Sequence, residues 1–368
     1  MANFNGQLRS NEIFAALYNM IISQQVFADN IKGTKSTLVD MARVDGSLYG
    51  DTKLYYSTDV LKSAPWGKDA AATNLLELNR PEAPECQAIH LDVFRQIALT
   101  VDNYLSKRAW GTEGAFSEFN SVMLGWIRET KRIYDATLYN AYIGTVETEE
   151  GEQTQEIDIT EIVGDETGEA KARLRAGAIG EFMANLLVSL EDVSRDYNDY
   201  HNLRSYNADD LIFVWNSKYV SEIEKRDLPS IFHKDFIDKF AQHTLPKRYF
   251  GKVNGTSVTN SDGVKIRSLI EQDVVNGDGE TFHVFAGDII PEDVNLADGA
   301  RIVYPSYTED DKVIFKVMHK RSVPYMSAFE VGTSFFNPKS LTENHYLTFG
   351  HNTLEYLKNY PMITVREV

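Results

Sequence analysis

Apolar residues change period several times along this chain, and each change marks an element. Over residues 10–28, Phe14, Leu17, Met20 or Ile21 and Val26 recur near helical spacing behind Ser10 or Asn11, either of which can cap a helix. From Gly46 to Asp102 the period drops to two. Thr52, Leu54, Tyr56, Thr58 and Val60 share one face of a first extended arm. In a second arm Ile89, Leu91, Val93, Ile97, Leu99 and Val101 take odd positions, with His90, Asp92, Gln96, Thr100 and Asp102 opposite; only Phe94 and Arg95 break the alternation. Thirteen extended residues span about 40 Å, roughly twice the common strand length. Pro65, Trp66, Gly67, Asn79, Pro81 and Pro84 turn the chain between the arms. A two-stranded hairpin is marginal alone in water, so one this long must lie across its own body or a neighbouring subunit.

The period returns to 3–4 over 113–144. Thr112 is a cap, Glu113 suits the positive helix end, and Gly144 closes the run. Phe116, Phe119, Met123, Trp126, Ile133 and Thr137 form the predicted core stripe, widened by Ile127, Tyr134, Leu138 and Tyr142. An Asp at Trp126 or Ile133 is therefore expected to bury an unpaired charge. About 30 helical residues make a beam of about 45 Å. An alternating run, Glu156 to Ile162, predicts a short strand, and a second long helix is expected over 168–194. Its stripe is Ala172, Ala176, Ile179, Met183, Leu186 or Leu187, Leu190 and Val193. The unbroken apolar run Leu211–Trp215 predicts a strand buried on both faces, followed by a short helix from Ser217 to Lys225. The remainder is strand-rich, with turn signals at Asn254-Gly255, Asn276-Gly277-Asp278-Gly279 and Asp298-Gly299. No internal repeat occurs.

Composition narrows the function. The 368 residues, 43% hydrophobic and 25% charged, suit about two folded domains. A net charge of −17 argues against a dedicated nucleic-acid binder, whose affinity rests on Lys and Arg. The excess is concentrated: residues 145–170 hold ten of the 54 acids and no Lys or Arg. Lys171, Arg173 and Arg175 follow at once and are expected to offset part of that repulsion. The start of the chain lacks a signal-peptide pattern and no window reads as a membrane span, so a soluble protein with no membrane partner is expected.

Enzyme chemistry is not visible. Phosphate-binding glycine loops and a Gly-x-Ser-x-Gly elbow are lacking. The single Cys86 permits neither an internal disulfide nor a cysteine metal cluster, and the eight histidines form no His-x-x-x-His pair. No catalytic residue, cofactor or metal is assigned. The acidic window lacks calcium-loop spacing and is expected to be a solvated, repelling face.

An arm, a helix, a protruding hairpin, a beam helix, an acidic strand, a second long helix and a buried strand come in an unusual order. That order resembles the major capsid proteins of tailed bacteriophages, the Hong Kong 97-type fold. The run Asp210–Val220 looks like that family's strand-then-helix start of its axial core. Ser327–Pro338 and Tyr346–His351 are similar to stretches in podovirus-like members.

The resemblance implies an α+β Hong Kong 97-type capsid fold divided into four parts. These are an N-terminal arm and first helix (1–45), an extended β-hairpin loop (46–102), a peripheral domain with its spine helix (103–165), and an axial α/β domain (166–368) whose strand-rich end returns to the peripheral domain. It implies a non-enzymatic virion protein, assembled in the host cytoplasm, that self-assembles into pentamers and hexamers of an icosahedral shell around the genome. A separate scaffolding protein and a portal would be partners, and packaged double-stranded DNA would be touched only weakly. The hairpin should overlap a neighbouring subunit, with Lys53, Lys62, Trp66, Lys68, Glu77, Arg80, Glu82 and Glu85 as candidate contacts. Some family members join subunits by Lys–Asn isopeptide bonds, and no local motif assigns one here. The alternatives are a portal or tail-tube subunit, or a soluble carboxylate-based enzyme.

Overall fold

The computed structural model describes residues 38–46, 52–63, 78, 80–102, 113–147, 153–164, 166–224, 241–254, 258–259, 265–276, 278–291, 301–302 and 305–368. The helix expected over 10–28 lies outside them. In chain order, α1 (Leu38–Ala42) runs into β1 (Arg43–Asp45), then β2 (Thr52–Ser57) and the 18-residue β3 (Glu85–Asp102). The 33-residue α2 (Glu113–Thr145) follows, then β4 (Thr154–Ile157), α3 (Ile159–Val163) and α4 (Gly168–Glu191). Next come β5 (Leu211–Asn216), α5 (Ser217–Glu224) and β6 (Ala241–Leu245). Short strands fill an excursion: β7 (Gly251–Val253), β8 (Val258–Thr259), β9 (Ile266–Ser268), β10 (Gln272–Val275), β11 (Thr281–Val284), β12 (Arg301–Ile302) and β13 (Ser306–Glu309). The chain ends with β14 (Val313–His319), β15 (Tyr325–Asn337), β16 (Thr342–Asn352) and β17 (Met362–Glu367).

Two compact units result, each threaded by several passes of the chain. The first takes residues up to Asp51, Leu91–Tyr139 and Tyr325–Thr353. Within it β15 lies between β1, parallel, and β16, antiparallel, and β16 pairs on its other side with the C-terminal two thirds of β3. The predicted alternation holds in β3: Ile89, Leu91 and Val101 are buried, while His90, Asp92, Gln96 and Thr100 are exposed.

The second unit takes Thr52–His90, Asn140–Pro324 and Leu354–Val368. Its sheet has the order β4-β17-β14-β5-β6. All six residues of β5 are buried, as an apolar run without alternation requires of a central strand. Helix α4 lays Ala176, Ile179, Met183, Leu187 and Leu190 into the core formed with Phe213, Phe315 and Val365. In this unit β2 pairs with Glu85–His90 of β3, so the hairpin's arms meet over six residues.

One element differs from its expectation. The run 156–162 is a strand only to Ile157; Asp158 then accepts the Glu161 amide at 2.9 Å and starts α3. That cap turns Ile159 and Val163 onto one helical side, where both are buried. A local side-chain acceptor thus overrode the period-two pattern.

Candidate functional site

The hairpin is anchored to its own unit at the turn-ward end of its paired arms, around Ser57 and Gln87. Its side chains alternate, and the predicted shared face of Thr52, Leu54, Tyr56, Thr58 and Val60 points to solvent, leaving Leu54, Tyr56 and Val60 exposed. The other face is gripped. Ser57 donates to Asn359 Oδ1 at 2.5 Å and accepts from Asn202 Nδ2 at 2.7 Å. Gln87 donates to the Tyr356 carbonyl at 2.9 Å and accepts the Lys358 amide at 3.1 Å. Asp59 accepts the Leu203 amide at 2.9 Å and the Arg195 guanidinium at 2.8 Å, and Arg204 donates to the Thr58 carbonyl at 2.6 Å. The Leu203 amide first, with Arg195 and the Val60 amide behind it, pulls the Asp59 carboxyl down to about 2.

Of the predicted contact residues, the structure brings Lys62 and Glu82 together across the arms at 2.8 Å. Both side chains are almost fully exposed, so the pair contributes little on its own. Lys53 is half-buried; Arg80 and Glu85 are exposed. Trp66, Lys68 and Glu77 lie outside the described residues.

The inward face of α2 is rotated from the predicted stripe. Trp126 is 38% exposed and Ile133 is half-buried, so an Asp at position 126 buries no charge in this subunit. The side chains of Phe116, Phe119 and Met123 lie outside the described residues. Ile127, Tyr134 and Leu138, which widened the predicted stripe, are buried, and Lys131, Asp135 and Tyr139 join them on the inward face. The prediction weighted hydrophobicity, whereas this face carries a buried charge cluster. Asp135, fully buried, accepts the Tyr325 hydroxyl at 2.7 Å, the Lys131 ammonium at 2.9 Å and the Arg43 guanidinium at 3.1 Å. Beside it His351 donates from Nδ1 to the Asn352 carbonyl (2.8 Å), leaving Nε2 to accept from the Tyr134 hydroxyl (2.7 Å). Burial lowers the His351 pKa and keeps the ring neutral. The Lys131/Asp135 spacing of four is the sequence signal that could have revealed this face.

The described acids of the 145–170 window, Glu147, Glu156, Asp158, Glu161, Glu166 and Glu169, are exposed. Arg173 pairs with Glu169 at 3.3 Å, as expected of the basic trio, but Arg175 turns to Glu367 near the C-terminus. Cys86 is exposed on the hairpin. Among the described residues no cluster of three or more His, Cys, Asp or Glu could hold a metal ion, and no helix is long and apolar enough to cross a membrane.

A second surface lies on β15. Its pairing with β1 ends at Ser327, and its antiparallel partner β16 occupies only one side. Every residue from Glu330 to Leu341 is exposed, including Phe335 at 63% and Phe336 at 55%. None of the predicted contact residues falls here.

A family model described as Phi29-like phage major capsid protein matches residues 3–364. No curated protein sequence matches the chain. Among solved structures it is similar to a chain of the capsid structure of Staphylococcus phage Andhra, with 12% identity and a TM-score of 0.56 over 91% of this chain and 87% of that one. It is also similar to a chain in the structure of the head fiber and inner core protein of native bacteriophage P68, with 12% identity and a TM-score of 0.58 over 89% and 83%. At such identity these two likenesses speak for a shared mixed α+β, strand-rich fold.

Proposed function

The chain belongs to the Phi29-like phage major capsid protein family, and from that membership we propose that its copies close into the icosahedral shell around the phage genome. It is a phage's major capsid protein, structural in role and located in the virion. The observation that carries the proposal is a family match spanning 3–364, nearly the whole chain.

In this reading the fold has Hong Kong 97-type parts. Helix α2 is the spine of a peripheral domain, 46–102 is the extended loop, and the sheet with β5 and β14 at its centre belongs to the axial domain. Copies form pentamers and hexamers through heterologous contacts, in which one patch meets a different patch and the rotation closes a ring. A scaffolding protein and a portal complete the assembly in the host cytoplasm. The chain does no catalysis.

The anchored hairpin supplies the mechanical logic. The turn-ward end of its paired arms is fixed to its own subunit by Ser57, Asp59 and Gln87, so the segment beyond them leaves from a set position. Leu54, Tyr56, Val60 and Leu61 are exposed on the hairpin, and in this reading they are the surface that a neighbouring copy covers. The acidic wall suits a container, because it neither adsorbs nor retains packaged DNA. Deleting 62–84 tests this reading. The variant is expected to remain folded and soluble by circular dichroism yet form no particles by sedimentation; normal particles would remove the hairpin from assembly.

A further inference from the structure

We propose that the outer edge of β15, from Glu330 to Asn337, is a strand-addition site for a second copy of this chain, so that neighbouring subunits share one hydrogen-bonded sheet. The inference rests on the shell reading above and adds the surface and mode of contact.

Among the described residues the edge has no partner strand. Strand β1 runs parallel to β15 only over Tyr325–Ser327, and the Gly46 amide closes that pairing on the Ser327 carbonyl at 2.9 Å. The β15–β16 ladder has its irregularity between Ser327 and Glu330, then runs without interruption from Glu330↔Phe349 to Asn337↔Thr342. Among the described residues nothing pairs with the other side of those eight positions. They span about 27 Å and leave about four main-chain amides and four carbonyls pointing outward.

The edge is also undefended. Lone sheet edges are normally blunted by lysine, proline, a bulge or covering chain. Here Glu330-Val331-Gly332-Thr333-Ser334-Phe335-Phe336-Asn337 holds no lysine, no proline and no bulge; Pro338 and Lys339 come only in the turn. Phe335 and Phe336 are adjacent and so point to opposite faces, which puts an exposed aromatic ring on each side of any strand that adds.

Charge identifies the occupant. The chain as a whole is at −17, so two copies repel over most of their surfaces. From Glu330 to Leu341 the strip carries one acid and one base, Glu330 and Lys339, and Glu330 already has Lys131 at 3.8 Å. A neutral, apolar, hydrogen-bonding strip on a strongly acidic molecule is where a second equally acidic copy can approach. The same strip offers a basic scaffold or packaged DNA no attraction. Strand addition derives affinity from main-chain bonds and specificity from the flanking side chains, here the two phenylalanines.

Amide hydrogen exchange on the dissociated subunit and on intact shells, each verified by electron microscopy, tests the proposal. The outward amides of 330–337 should exchange rapidly in the subunit and at least about 100-fold more slowly in the shell. Slow exchange already in the subunit would mean that the chain's own residues cover the edge, and would overturn the proposal. Equal rates in subunit and shell would also overturn it while leaving the shell reading intact. A second measurement uses V331K together with F336K, both at exposed positions. The double variant should melt with wild-type circular dichroism and lose shell formation at least tenfold. Normal shell yield would likewise refute the edge as a contact.

Discussion

Replacing Asp135 by Ala orphans three donors at once, and the structure indicates what each loses. Arg43 keeps Asp40 at 3.0 Å and is partly exposed, so it loses little. Lys131 retains the half-exposed Glu330 at 3.8 Å and the face of the Phe349 ring at 5.2 Å. The Tyr325 hydroxyl, on a side chain 1% exposed, has Asp135 as its acceptor among the described residues. An unsatisfied buried hydroxyl costs about 1–3 kcal/mol, and breaking a buried ion pair from one side costs about 3–5 kcal/mol. The two overlap, so the expected loss is about 3–5 kcal/mol. Against a typical total of about 5–15 kcal/mol that is a large share. A companion variant, Asp135→Leu with Lys131→Met and Tyr325→Phe, removes donors and acceptor together and should recover at least half of the loss. Urea unfolding of the isolated subunit by far-ultraviolet circular dichroism measures both. A loss below about 1 kcal/mol for Asp135→Ala, or a triple variant worse than the single, would refute the claim that Asp135 organises this core.

Lys316, on the central strand β14, is 1% exposed and donates to the Val146 carbonyl just beyond α2 at 2.6 Å. Burial pushes its ammonium down to about 7, so its burial penalty is complete below pH 7 and disappears as pH rises toward the ordinary value of 10.5. Wild-type stability should therefore climb relative to Lys316→Met between pH 7 and 10, by at most about 1.4 kcal/mol per pH unit; parallel profiles would contradict this. Gly144→Ala should destabilise the subunit by more than about 3 kcal/mol, because a Cβ there would lie 2.0 Å from the Tyr249 carbonyl oxygen; an unchanged melting temperature would show that α2 does not end against Tyr249. Trp126→Asp should destabilise the isolated subunit far less than Leu138→Asp, which should unfold it; equal effects would place Trp126 in the subunit's core as the hydrophobic stripe predicted. Asp59→Asn should raise amide exchange over 52–63 without changing global unfolding, and unchanged exchange would show that the Arg195 and Leu203 contacts do not hold the hairpin.

Much of the fold was legible because period and burial agree where one face of an element is wet. Strand β3 alternates as written, β5 is apolar from Leu211 to Trp215 because both its faces are covered, and α2 and α4 stand close to their predicted limits. The failures have physical causes. On α2 the buried face includes Lys131 and Asp135, and a hydrophobicity stripe cannot find charges that satisfy one another. On the hairpin the period-two pattern grouped Leu54 and Tyr56 on one face but could not say which way that face points: both are exposed, while Ser57, Asp59 and Gln87 hold the body through hydrogen bonds. The β15 edge was illegible for a related reason: residues 327–338 read as an ordinary strand, and only topology shows that one side has no partner among the described residues.

The central claim, that copies of this chain build a closed shell, is tested most directly by electron microscopy of the protein produced alone and co-expressed with a candidate scaffolding protein from the same phage. Closed particles with this chain as the wall are predicted in at least one condition. Rings, tubes or discrete small oligomers in both would contradict it.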